Sequence, residues 1–251
     1  MSMPSAMTLI FFMDLDFYRF GVNMIYVSIC GSISVGKSAV FDYLKNKEYL
    51  IVNDKKIYRN RILFIEEPIA DFKSFAGFNA LENMMSHTLA SQLVINLCMY
   101  NLYKRKWKEL DSRNYDLVIS ERNVFSGLVF SRVLHQLGLL TKYEFTVLNS
   151  LHDHFLANLS PKPDFLLILT SSPSACLSRI RTRAREGEEN LSIDYIRQLC
   201  ACYNSHYLSQ VYKTSNIIKI PNNQDKNTLF TAIENILMNL SNTDQLQSHD
   251  T

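Results

Sequence analysis

Apolar residues recur along this chain in two rhythms. Short runs, apolar at nearly every position and rich in β-branched and aromatic residues, read as strands buried on both faces. Five occur: Met24–Cys30, Arg61–Glu66, Tyr115–Ser120, Pro163–Thr170 and Ile217–Ile220. Pro68 stops the second. Between the runs, apolar residues return every three or four positions, the spacing of one helix face. That rhythm predicts helices over Lys37–Lys45, Ala80–Leu110, Val124–Leu137, Lys142–Leu159, Ser192–Tyr212 and Lys226–Leu240, and another from Pro173. Strand alternating with helix predicts an α/β fold: a five-stranded parallel sheet flanked by helices. Residues 24–240 read as one domain. Residues 1–23 read as an N-terminal extension that the core fold does not need, and residues 241–251 as a polar tail.

A length of 251 residues suits that single domain, and 47% hydrophobic residues are enough to fill its core. Lys+Arg 26 against Asp+Glu 24 leaves a net charge of +2, too even for a dedicated nucleic-acid binder. The apolar stretch Met7–Met13 is too short to span a bilayer, and no basic residue precedes it, so neither a membrane partner nor secretion is expected. Cys30, Cys98, Cys176, Cys200 and Cys202 are scattered, odd in number and without a C-x-x-C pair. They read as free thiols of a reducing compartment, which favours the cytoplasm.

The strongest chemical signal is Gly31-Ser32-Ile33-Ser34-Val35-Gly36-Lys37-Ser38, which fits G-x-x-x-x-G-K-[ST] between a predicted strand and a predicted helix. The glycines let the backbone curl so that its N–H groups and the helix N-terminus hold phosphate oxygens. Lys37 is expected to reach the β- and γ-phosphates of ATP, and the Ser38 hydroxyl to ligate Mg²⁺. The D-x-x-G and N-K-x-D signatures of a GTPase are absent from the chain. A small phosphotransferase remains.

Two acidic strand ends follow. In open α/β sheets the ligand crevice lies at the carboxyl ends of the strands. Glu66-Glu67-Pro68 ends the second strand, and alternation lets only one glutamate face that crevice. Glu67, beside the proline, is the candidate to accept a hydroxyl proton. Glu121-Arg122-Asn123 ends the third strand. Glu121 is expected to support the Mg²⁺ shell and Arg122 to hold phosphate or a substrate oxygen. Farther on, Arg179, Arg181, Arg183 and Arg185 precede Glu188 and Glu189. On one helix, Arg179 and Arg183 share a face and Arg181 and Arg185 another, with Gly187 ending the pattern. Alone, such a stretch is a solvated basic face; beside a phosphate loop it reads as a lid.

Together these pieces resemble the deoxynucleoside kinase family, with the match running from about Tyr26 to about Asn222. The family has a glutamate-proline pair with an aromatic five residues after the glutamate, here Glu67-Pro68 and Phe72. It has a glutamine inside a long helix, here Gln92, and Glu-Arg-Ser, here Glu121-Arg122-Asn123. The stretch from Tyr143 to Phe155 looks like the helix before its fourth strand, and Arg179, Arg183, Arg185 and Glu188 are spaced like its lid. The resemblance implies a P-loop kinase with an arginine-rich lid, using ATP and Mg²⁺ on a small-molecule deoxynucleoside and forming a homodimer through long helices. Glu67 is then the base for the 5′-hydroxyl, Gln92 pairs with the nucleobase edge, Arg122 contacts the 5′-oxygen and the phosphoryl group, and Glu188 meets the sugar 3′-hydroxyl. The chain departs from the pattern. The family's sugar tyrosine falls near Met85, with His87 as a substitute, and Ser91 stands where an aromatic precedes the glutamine. The stacking phenylalanine falls on Ser131, with Phe130 beside it, so the base sandwich is rebuilt or the register shifts by one.

Three positions bear on the acceptor. The deoxycytidine-preferring branch carries alanine, arginine and aspartate where this chain has Ile95, Met99 and Gly127, and the thymidine-accepting branch carries a larger aliphatic, a methionine and a small residue. Losing the charged pair is expected to free volume for a 5-methyl group beside an apolar lining. Thymidine is therefore favoured, with deoxycytidine accepted and purines poorer. A thymidylate kinase is the alternative enzyme, although that class tends to carry arginine where Glu66 stands. A nucleotide-binding regulatory protein without turnover is the alternative outside enzymes.

Overall fold

The computed structural model describes residues 24–112, 115–159, 162–205, 207–208, 216–223 and 225–241. The extension expected over residues 1–23, the end of the helix expected to reach Tyr212, and the tail beyond residue 241 lie outside them. Five parallel strands form one sheet in the order β4-β5-β1-β6-β7: β1 (Ile25–Gly31), β4 (Ile62–Ile65), β5 (Leu117–Glu121), β6 (Phe165–Thr170) and β7 (Ile217–Pro221). The central strand β1 is buried from Tyr26 onward, as its unbroken apolar run requires. The helices are α1 (Lys37–Lys45), α2 (Ile69–Ser74), α3 (Thr88–Ser112), α4 (Ser126–Gln136), α5 (Lys142–Leu159), α6 (Pro173–Arg183), α7 (Ile193–Asn204) and α8 (Lys226–Met238).

Three features depart from the periodicity. A hairpin, β2 (Tyr49–Val52) with β3 (Lys55–Tyr58), forms its own two-stranded sheet. Asn53 and Asp54 turn it with φ of 48° and 61°, the left-handed pair that hairpin turns use. Its tip is clasped by the end of α8 and the residues just after it: Asn53 N donates to Leu237 O at 3.2 Å, and Ser241 N to Asn53 Oδ1 at 2.7 Å. Second, α3 starts at Thr88, not Ala80. Asn79 Oδ1 accepts from the backbone of Leu81 and Glu82, and Ala80 N donates to Phe72 O, which holds this segment as turns. Third, α6 ends at Arg183 because Ala184 takes φ 46°. Ala184, rather than Gly187, breaks the arginine-rich helix.

The core brings an aromatic column up to the strand ends. Trp107 on α3 meets Tyr26 edge-on at 5.5 Å between centroids. The Tyr26 hydroxyl lies 3.2 Å from Tyr103 Oη and 3.1 Å from Ser120 Oγ. Tyr103 Oη in turn donates to Arg122 O at 2.8 Å. That bond helps fix Arg122 at φ 61°, a backbone conformation that β-carbon-bearing residues rarely adopt.

Candidate active site

A cavity of about 460 Å³ opens at the carboxyl edge of the sheet. Its floor is the loop between β1 and α1. Gly31 and Gly36 have φ of 139° and 109°, and Ser34 has φ 58°. A Cβ on Gly31 would lie 2.4 Å from Leu169 O, and one on Gly36 2.4 Å from Asn222 Nδ2, so neighbouring chain leaves room only for glycine. Asn222 Nδ2 also donates to Val35 O at 2.7 Å, pinning the loop from the end of β7. Ile33, Ser34, Gly36, Lys37 and Ser38 line the cavity, while Ser32 and Val35 are buried. Lys37 Nζ donates to Ser32 O at 2.8 Å. Burial, and next the Arg122 guanidinium, push its ammonium down to about 8.

Beside the loop stand two carboxylates and one guanidinium. Glu67 Oε1 lies 2.9 Å from Arg122 Nε in an ion pair almost closed to solvent. Arg122 Nη1 also donates to Gly31 O at 3.0 Å and Tyr203 Oη at 3.1 Å. Glu66 points the other way and pairs with Lys45 at the surface. Ser38 Oγ donates to Glu121 Oε1 at 2.7 Å. Burial, and next the neighbouring Glu67, raise the Glu121 carboxyl above its usual range. A hydroxyl and a desolvated carboxylate together are the hard oxygen donors that Mg²⁺ prefers, so Ser38 and Glu121 fit that ion.

The lid covers one side. Arg179 Nη2 donates to Asn222 O and Nη1 to Ser171 Oγ, at 3.3 and 3.4 Å. With α6 finished at Arg183, Arg185 leaves the helix and turns back, so Arg183 and Arg185 both bind the buried carboxylate of Glu188. Arg181 is exposed and lies outside the cavity lining. Gly187, at φ 87°, lets the lid touch the turns before α3: a Cβ there would lie 2.7 Å from Glu82 N.

The opposite end is built on α3 and α4. Gln92, Ile95, Asn96 and Met99 line it from α3, and Gly127 and Phe130 from α4. Phe72, Leu81 and Met84 form the facing wall. Both amide atoms of Gln92, Asn96 Nδ2 and both ring nitrogens of His152 are buried without a hydrogen-bond partner. Burial pushes the His152 imidazole down to about 4.

A deoxynucleoside kinase family profile matches residues 27–243. The chain belongs to the deoxynucleoside kinase family. A deoxyguanosine kinase of Dictyostelium discoideum is 32% identical over 150 residues, covering 54% of this chain and 52% of that enzyme. This chain therefore aligns with about half of that relative's length. A probable deoxycytidine kinase of fowlpox virus is 27% identical over 176 residues, 69% of this chain and 67% of its own. Human mitochondrial thymidine kinase 2 is 22% identical over 179 residues, 69% of this chain and 60% of its own. Among solved structures, the deoxyadenosine kinase from M. mycoides with bound dATP superposes with a TM-score of 0.66. The superposition covers 85% of this chain and 99% of that one at 18% identity, a likeness of fold.

Against the family pattern, several sequence expectations shift. Phe130 faces the cavity, with the Arg122 guanidinium 4.8 Å over its ring, whereas Ser131 turns inward and donates to Gly127 O. Of the two residues, Phe130 is the one that reaches the cavity. His87 is exposed and does not line the cavity, so it does not replace the sugar tyrosine; Met84 lines the cavity and Met85 does not. The volume expected at Gly127 is not free, because Asn96 and His152 occupy it. Sequence reading overlooked Asn96, Asn222 and Phe230, which line the cavity, and gave His152 no part in the site. The one signal for Asn96 is its place one helical turn after Gln92. Among the described residues, no cluster of three His, Cys, Asp or Glu is placed to hold a metal, no helix is long and apolar enough to cross a membrane, and the five cysteines are buried and form no disulfide.

Proposed function

We propose that this kinase transfers the γ-phosphate of ATP to the 5′-hydroxyl of a deoxynucleoside, thymidine foremost, with deoxycytidine accepted and purines below both. The observation that carries the reading is the Glu67–Arg122 pair at 2.9 Å, set between the phosphate loop and the amide of Gln92 in one cavity. Glu67 takes the 5′-hydroxyl proton while Arg122 holds the oxygen and the transferring phosphoryl. The loop amides, Lys37 and the lid arginines hold the phosphates, and Phe230 with Leu229 offers an apolar wall to the donor base. Mg²⁺, held by Ser38 and Glu121, supplies charge neutralisation at the phosphates. Phe130 and Phe72 flank the acceptor base, and Ile95 and Met99 give its methyl group an apolar neighbour.

A nucleoside monophosphate suits this end less well, because Glu67 would repel a substrate phosphate. The proposal extends to a homodimer, supported by the exposed apolar side chains of Tyr143 and Val147 on α5. Incubation with γ-labelled ATP and a panel of nucleosides and monophosphates tests the reaction. Label on thymidine supports it. Label on thymidylate alone, or on no acceptor despite ATP binding, overturns it.

A further inference from the structure

The base end of the cavity holds more hydrogen-bonding capacity than a pyrimidine edge uses. Gln92 alone supplies the donor and acceptor that two adjacent pyrimidine positions need. One turn along α3, Asn96 lines the same cavity, is 3% exposed, and has an unpartnered Nδ2. Beside it His152, from α5, is 1% exposed with both ring nitrogens unpartnered. Gly127 is where the two converge. A Cβ there would lie 2.1 Å from Asn96 Oδ1, 2.3 Å from His152 Cε1 and 2.6 Å from His152 Nε2. Burial keeps the imidazole neutral, so one ring nitrogen donates and the other accepts. It therefore packs beside the Asn96 amide without adding charge.

Buried donors left unmade are costly, and a ligand that supplies the partner recovers that cost. Beyond the edge that Gln92 reads, a pyrimidine presents only C5, with hydrogen or methyl. A purine presents N7 and its position-6 substituent, an edge that carboxamides recognise.

We propose that Asn96, positioned by His152 beside Gly127, is a second base-reading residue that donates from Nδ2 to purine N7. The enzyme thereby takes purine deoxynucleosides in addition to pyrimidines. This rests on the proposed function and assigns its acceptor range. Asn96 touches the base; His152 acts through Asn96.

The test compares kcat/KM for 2′-deoxyadenosine and 7-deaza-2′-deoxyadenosine, with thymidine in parallel. In the wild type, loss of N7 should cost roughly 10–100-fold. In Asn96→Leu the ratio of the two should fall to about one, and His152→Phe should lower it part-way. A merely structural role would reduce both substrates together and leave the ratio alone. Equal rates on the two nucleosides in the wild type would overturn the assignment, and that measurement needs no variant to fold. So would a wild-type ratio retained in Asn96→Leu. Failure on deoxyadenosine with turnover of thymidine removes the assignment and leaves the kinase reading intact. Failure on both removes the kinase reading itself.

Discussion

The two ends of the cavity treat their polar groups in opposite ways. At the phosphate end four charged groups already have partners: Lys37 with Ser32, Glu121 with Ser38, Glu67 with Arg122, and Glu188 with two lid arginines. At the base end both amide atoms of Gln92, Nδ2 of Asn96 and both ring nitrogens of His152 are buried without a hydrogen-bond partner. An unpaired charge is too costly to bury, so a site for a highly charged ligand must be self-neutralised before that ligand arrives. Neutral amides can be left open at smaller cost, and that cost becomes selectivity when a base fills them. The phosphate end exchanges partners on binding, while the base end gains them.

The hardest break at the phosphate end is Glu67→Gln. It should lower kcat by roughly 10²–10⁴ with little change in KM for ATP, read in steady-state kinetics. Glu66→Gln should be mild, because Glu66 pairs with Lys45 at the surface; the opposite ranking would show that the wrong glutamate has been chosen as base.

The base end answers to pH. His152 sits near 4 in the fold against an ordinary 6.5, so the unfolded chain binds its proton first. Its neutral form is fully compatible with the fold above about 6.5, and stability drains away as pH falls from there through about 4. The loss from this one group is roughly 3 kcal/mol, to be read as a change in urea midpoint between pH 7 and pH 4. His152→Phe should flatten that part of the profile, and an unchanged slope would remove the histidine as its cause.

Smaller effects sharpen the contrast. Gly127→Ala pushes a methyl group onto Asn96 and His152 and should cost about 1–3 kcal/mol in denaturant unfolding. A neutral result would mean that these side chains yield freely. Arg183→Ala removes one of two arginines from Glu188, so phosphoryl transfer should slow by only about threefold to thirtyfold. Wild-type rates would return Arg183 to an ordinary exposed cation.

What the sequence reveals follows from how local each feature is. The sheet and the phosphate loop are written in consecutive residues: five apolar runs, and one octet whose glycines take left-handed backbone conformations. The hairpin was missed: Asn53-Asp54 is a turn signal, but the four-residue runs on either side are brief beside the long strands. The start of α3 was hidden because apolar spacing continues through Ala80–Met85 while Asn79 captures the backbone donors that a helix would use. The base end was misread for a different reason. A missing side chain at Gly127 looks like free space in a sequence. Whether that space is empty depends on where α5 packs, and His152 reaches it from twenty-five residues farther along the chain.

The clasp at the hairpin tip bears on the order in which the molecule assembles. Ser241 reaches back to Asn53 across 188 positions, closing nearly the whole described chain into one loop. On a ribosome adding about 5–20 residues per second, the tip of the hairpin waits roughly 10–40 s for the helix end that fastens it. Through that interval the exposed faces of Tyr49, Ile51 and Tyr58 belong to a two-stranded ribbon, an arrangement only marginally stable on its own. The phosphate loop, its helix and its neighbouring strands are thus made well before the element that locks the nearby hairpin. Nascent chains stopped short of residue 226 would carry a hairpin without α8 against it, a state open to chaperones and proteases.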